Sequence, residues 1–115
     1  MMNIEEVREY CLKKKAVSES FPFDKFTLVF KVKGRMFALL PLEKVAQINL
    51  KCDPEKAIEL REHYAAVTPG YHMNKQQWNT VLIDGSISDL LLKEWIDDSY
   101  KLIVAKLPKK DREGL

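Results

Sequence analysis

Between residues 26 and 52 apolar and polar side chains alternate with a period of two, and this pattern restricts the fold more than any other feature of the chain. Leu28, Phe30 and Val32 fall on one face of an extended segment from Phe26 to Val32, with Thr27, Val29 and Lys31 on the other. Lys33-Gly34 can make a two-residue turn. Arg35 to Leu40 then places Phe37 and Leu39 on one face and Met36, Ala38 and Leu40 on the other. After Pro41, residues Ala46, Ile48, Leu50 and Cys52 alternate with Gln47, Asn49 and Lys51. The pattern predicts three antiparallel strands, the first two forming a hairpin with Lys31, Lys33 and Arg35 near its tip.

Helical spacing frames these strands. Asn3 can cap a first helix, with Glu6 completing a capping box, and Ile4, Val7, Tyr10 and Cys11 carry an apolar stripe to about Leu12. Lys13-Lys14-Lys15 marks its end, where cations suit the macrodipole. Asp53-Pro54 starts a second helix that continues through Ala57, Leu60 and Tyr64. Thr68-Pro69-Gly70 reads as a type II turn leading into a weak strand at Tyr71 to Asn74, which pairs with a second run, Asn79 to Ile83. Ser86 or Ser88 caps a last helix whose stripe of Leu91, Leu92, Trp95, Ile96, Ser99, Leu102 and Ile103 extends to about Leu107. Ser99 there is expected to bond its hydroxyl to the preceding turn. Pro108 stops the helix, leaving residues 108–115 as a frayed polar tail. The order α-β-β-β-α-β-β-α predicts an α+β fold of two layers, helices packed on one antiparallel sheet.

A chain of 115 residues supports one core, so residues 1–115 are expected to form a single domain. With 46% hydrophobic and 31% charged residues it is neither a disordered chain nor a bundle of membrane spans. Glu5, Glu6 and Glu9 near the start, with no apolar stretch, point to a cytoplasmic protein without a secretory signal. Cys11 and Cys52 are too few for a disulfide framework, and with His63 and His72 they show no ligand spacing, so neither metal nor cofactor is expected. Phosphate-binding glycine loops and the common hydrolase motifs are absent, and Asp97-Asp98 diverge by about 100° around a helix, which argues against an enzyme. Charge is uneven. Residues 13–51 hold nine bases against three acids, whereas residues 52–100 hold four bases against nine acids. One basic face suits an anionic partner.

Residues 71–79 concentrate Tyr71, His72, Lys75 and Trp78 with the amides of Asn74, Gln76, Gln77 and Asn79. Amides can bond adenine edges, lysine can neutralise phosphate, and rings can stack on bases. The same residues also suit a hairpin whose rings pack inward while its amides bond loop backbone.

This segment carries a resemblance. Pro69-Gly70-Tyr71-His72-Met73-Asn74-Lys75, then Trp78-Asn79-Thr80 and Asp84-Gly85, resembles the MmcQ/YjbR family of small bacterial proteins. Phe21-Pro22-Phe23-Asp24, Val29-Phe30-Lys31-Val32, Met36-Phe37-Ala38, the run from Ile48 to Pro54, and Asp98-Ser99-Tyr100 extend it nearly end to end. Gln77 departs from the pattern, since the family often has histidine before the tryptophan. The resemblance implies the same α-β-β-β-α-β-β-α fold, similar to secretion-chaperone-like domains, and a role as a "double wing" DNA-binding protein. The wings would be the two hairpins, with DNA contacts at Lys31, Lys33 and Arg35 and at His72, Asn74, Lys75, Gln76 and Asn79.

Three functions follow as expectations. Binding of double-stranded DNA would use these wings. A protein-interaction module, binding a partner protein or forming a homodimer, would use a sheet face or the last helix around Trp95. A small-ligand site would centre on Tyr71, His72 and Trp78, without a nucleophile and base to make it catalytic.

Overall fold

A computed structural model describes residues 1–43, 45–70 and 73–115. Helix α1 (Ile4–Leu12) opens with the expected capping box: the Glu6 N–H donates to Asn3 Oδ1, and the Asn3 N–H to the Glu6 carboxylate. Four strands follow, β1 (Val17–Ser20), β2 (Thr27–Val32), β3 (Arg35–Pro41) and β4 (Gln47–Lys51), then α2 (Pro54–His63). Next come β5 (Val67–Pro69), β6 (Trp78–Leu82), α3 (Asp89–Ala105) and the single turn α4 (Lys109–Arg112). The strands form one antiparallel sheet in the order β1-β2-β3-β4-β6-β5.

The helices cover one face of this sheet. Leu28, Phe30, Val32, Leu40, Ile48, Leu50 and Val81 from the strands meet Val7, Cys11, Leu92, Trp95, Ile96 and Ile103 from the helices in a continuous core. The opposite face carries only a small cluster, Val29, Leu39 and Trp78, with Met36 and Met73 against it. The fold is therefore α+β with two layers, as the order of elements predicted.

Five local expectations need correction. Strand β1 had no alternating signal because only Val17 in Val-Ser-Glu-Ser is apolar, yet it pairs along β2 from Val17↔Val32 to Ser20↔Val29 as an edge strand. Residues 67–69 are strand rather than turn: β-branched Val67 and Thr68 pair with Val81 and Thr80, and Pro69 is tolerated because β5 is an edge. Of the strand expected at 71–74, Tyr71 and His72 lie outside the described residues, and Met73 and Asn74 are not strand. The polar tail is folded, with α4 after Pro108 and Leu115 packed on the core.

The fifth correction lies inside β3. Phe30 faces Ala38 but Lys31 faces Met36, so Phe37 is an extra, bulged residue. The bulge reverses the alternation beyond it. Phe37 joins Ala38 and Leu40 in the main core, while Leu39 and Met36 lie on the other face.

Candidate nucleic-acid interface

The bulge sits beside the place where β3 and β4 part. Their ladder consists of Ala38↔Leu50 and Leu39↔Asn49. One residue further, the buried Ser99 of α3 takes over. Its Oγ donates to the Phe37 carbonyl (2.6 Å) and accepts from the Lys51 N–H (2.9 Å). A helix hydroxyl thus satisfies two backbone groups of the parted strands, rather than bonding its own preceding turn as the sequence suggested.

Strand directions bring the basic segments together at this end. The β2–β3 turn, the end of β4 at Lys51 and the start of β6 at Trp78 are neighbours, with Lys51 opposite Trp78. Strands β3 and β6 flank β4, so the two connecting loops leave the sheet about 10 Å apart. The first is the tight turn Lys33-Gly34, both residues in the left-handed region at φ 50° and 82°. That geometry matches the twist of a hairpin and explains the glycine. Lys33 and Arg35 are exposed, and Lys31 is half-buried.

The described residues of the second loop, 70 and 73–77, are held against the sheet. The Gly70 N–H donates to the Trp78 carbonyl, and a Cβ on Gly70 would come within 3.1 Å of the Trp78 Cβ, a tight approach that favours glycine. The Asn74 carbonyl accepts from the Gln77 and Trp78 N–H groups, and Asn74 Oδ1 accepts from the Gln76 N–H. The Cys52 N–H donates to the Gln77 carbonyl and ties the loop to the end of β4. Asn74, Lys75 and Gln76 are exposed here.

Between the two loops stands a cation that sequence reasoning missed. Burial, then Lys106, then Arg35 push the Lys51 ammonium down to about 8. These three cations come from β4, the end of α3 and the start of β3, and the groups acting on Lys51 are both positive. The signal in the sequence was present but read only as strand alternation: Lys51 ends the most regular strand, and its neighbours arrive through the fold.

Not all the expected contacts are available. Asn79 is 2% exposed, on the helix-covered face, where its Nδ2 donates to the Ala57 carbonyl of α2. Its Oδ1 is buried with no partner among the described residues, beside a cavity of about 20 Å³, room for one water. Asn79 therefore cannot reach DNA. Strand β6 begins at Trp78, one residue before the expected start, and within it Trp78 takes the open face and Asn79 the helix-covered one. His72 lies outside the described residues. Neither hairpin projects as a free ribbon, because β1 pairs with β2 out to Val32 and the second loop folds back with Met73 on the open face.

Trp95 is also unavailable as a partner surface: it is 4% exposed and packs edge-on to Tyr64 at 5.3 Å. The adjacent acids Asp97 and Asp98 diverge as expected and tie two different neighbours. Asp97 accepts from Tyr10 Oη and pairs with Lys14, while Asp98 pairs with Lys56 at 3.3 Å. Burial and the Asp97 carboxylate push the Tyr10 hydroxyl up to about 12. Burial likewise pushes the Cys11 thiol to about 12. Among the described residues no three acids, histidines or cysteines gather to hold a metal, and no helix is long and apolar enough to cross a membrane.

A family model described as YjbR matches residues 12–102. The chain is 38% identical over 110 residues to the uncharacterised protein YbdF of Escherichia coli O157:H7, covering 95% of this chain and 90% of that one. It is 35% identical over 115 residues to the uncharacterised protein YjbR of Escherichia coli K12, covering 99% and 98%. Among solved structures, the Deinococcus radiodurans protein DR2400, with the domain DUF419, superposes with a TM-score of 0.91 at 40% identity, covering 98% of this chain and 87% of that one. A Pseudomonas syringae protein superposes with a TM-score of 0.77 at 31% identity, covering 88% and 98%.

Proposed function

The chain belongs to the YjbR family, and from that premise we propose that it binds double-stranded DNA through the end of the sheet that carries Lys33, Arg35 and Lys51, with no catalytic step. The observation that carries the reading is the gathering of Arg35, Lys51 and Lys106 from three elements around a half-buried lysine. Like charges held together at a partly desolvated spot raise the local potential, and a phosphate placed among them relieves the repulsion. Lys31 and Lys33 on one side and Lys75 on the other extend the surface along a backbone.

Contact by short loops favours the phosphates over the groove floor. Asn74 Oδ1 accepts from the Gln76 N–H, so a bidentate reading of an adenine edge by this amide would compete with the bond that shapes its own loop. Gln76, exposed at the tip, is left as the candidate base contact. The reading is of weakly sequence-selective binding, in the 10⁻⁴–10⁻⁶ M range typical of roughly nonspecific DNA contacts.

The test is titration of a fluorescent mixed-sequence duplex, followed by anisotropy, with the wild type and with Lys33→Glu/Arg35→Glu. Both positions are exposed, so the fold should survive. Loss of binding by at least about tenfold is expected, since each phosphate contact contributes to affinity through counterion release. Unchanged affinity in the double variant would remove the basic end from any role in DNA binding.

A further inference from the structure

The other end of the same sheet has the opposite character. The loops before β2 and after β3 leave it side by side, since Thr27 pairs with Pro41. They carry Phe21, Phe23, Phe26, Leu42 and Val45, which are 47%, 63%, 47%, 45% and 70% exposed. Isolated exposed apolar side chains are ordinary, but a cluster on two adjoining loops is a patch. The first of these loops is fixed: the Asp24 carboxylate accepts from the Phe26 and Thr27 N–H groups at 2.8 and 2.7 Å and from Thr27 Oγ1. The Leu42 N–H donates to the Phe26 carbonyl and locks the second loop to it. Phe26 and Leu42 are thus presented by hydrogen-bonded backbone.

Between these loops and Met73 the open sheet face forms a groove of about 490 Å³, with Phe23 and Phe26 on one wall and Leu39 in the floor. The charged side chains lining it are Asp24 and Glu43, both acids, and no lysine or arginine among the described residues lines it. The N–H groups of Phe26 and Thr27 hold the Asp24 carboxyl below its ordinary value, so this carboxylate in the groove lining stays charged at neutral pH.

We propose that this groove docks a segment of a partner protein in which apolar side chains stand beside a lysine or arginine. Charge decides the occupant. DNA would meet two carboxylates, and a second copy seated face to face would bring Asp24 and Glu43 against their own equivalents. A basic side chain instead finds the carboxylates and the faces of Phe23 and Phe26 together, the arrangement in which cation–π attraction and ion pairing reinforce each other. The apolar rim of Phe21, Leu42 and Val45 reaches beyond the groove, more surface than a small organic cation would cover. The inference rests on observations other than those behind DNA binding: the aromatic loops lie at the end of the sheet opposite Lys33, Arg35 and Lys51, and among the described residues the groove meets the second loop only at Met73.

The experiment selects random linear displayed peptides on the full chain, then titrates the enriched peptides, made synthetically, into labelled protein while amide resonances are recorded. Enriched sequences are expected to pair lysine or arginine with aromatic or aliphatic residues and to shift the amides of Thr27, Leu39, Gln47 and Asn49. Replacing the peptide's base with glutamate should weaken binding at least about tenfold, as should Phe23→Ala or Glu43→Lys, because truncated aromatic anchors and reversed charges have effects of that order. Phe23 and Glu43 are exposed, so thermal melting should report both variants folded. No enrichment, enrichment of acidic peptides, shifts confined to the Lys33 end, or binding indifferent to both variants would each overturn the proposal.

Discussion

At the scale of single residues, Ser99, Lys51 and Asn79 carry the account. Ser99 is fully buried and serves two backbone groups of the sheet, so Ser99→Ala should strand the Phe37 carbonyl and the Lys51 N–H and lower the free energy of urea unfolding by about 2–4 kcal/mol. Lys51 titrates near 8 in the fold against an ordinary 10.5. The unfolded chain holds the extra proton between those values, so this group's contribution to stability rises with pH across the window. DNA binding should move the other way, weakening as pH rises through about 8 and the ammonium is lost. Lys51→Arg should abolish that part of the pH dependence, and an unaltered pH profile would show that Lys51 takes no part. Asn79→Leu should cost less than about 1 kcal/mol and leave DNA affinity unchanged, since it removes an unpartnered oxygen and the Ala57 carbonyl keeps the Arg61 Nε donor. The residue types of the basic end were legible in the sequence, because Lys31, Lys33 and Arg35 flank an evident turn. Lys51 was not, because its meaning comes from Lys106, fifty-five positions away in the chain. Asn79 misled because it was read as one of a run of amides in a loop, whereas it lies in β6 with its side chain turned in against α2.

At the scale of elements, legibility followed the strength of the apolar period. Strands β2 and β4 and helices α1 and α3 present regular stripes and form where the stripes predict. Strand β1 is an edge with one apolar residue, so its pairing with β2 and the Arg8–Glu19 ion pair that joins it to α1 could be seen only in three dimensions. The bulge at Phe37 was hidden for a different reason: Phe37, Ala38, Leu39 and Leu40 are all apolar, and a run of that kind carries no face. Two turns allow direct tests. Lys33 occupies the left-handed region at φ 50°, which asparagine adopts more readily, so Lys33→Asn should raise stability by about 0.5 kcal/mol while weakening DNA binding. An increase in stability with unchanged affinity would confine Lys33 to the turn. Gly70→Ala should instead lower stability by about 1–3 kcal/mol, since the added Cβ meets Trp78 and the second loop must shift. Thermal melting measures both.

At the scale of the whole molecule, one sheet holds two ends of contrary character, a basic end built by Arg35, Lys51 and Lys106 and an aromatic end lined by Asp24 and Glu43. The uneven charge along the sequence foreshadowed the first, because residues 13–51 carry most of the positive excess. It gave no sign of the second. Phe21, Phe23 and Phe26 read from sequence as the approach to a strand, and only their exposure beside Leu42 and Val45 makes them a surface. The central claim is that the basic end contacts phosphates, and the most direct measurement is the affinity of the wild-type chain for a mixed duplex over a series of salt concentrations. Contact with about five phosphates predicts a straight line of log affinity against log salt with a slope of about −4 to −5. Absence of binding at low salt, or an affinity that does not change with salt, would contradict it.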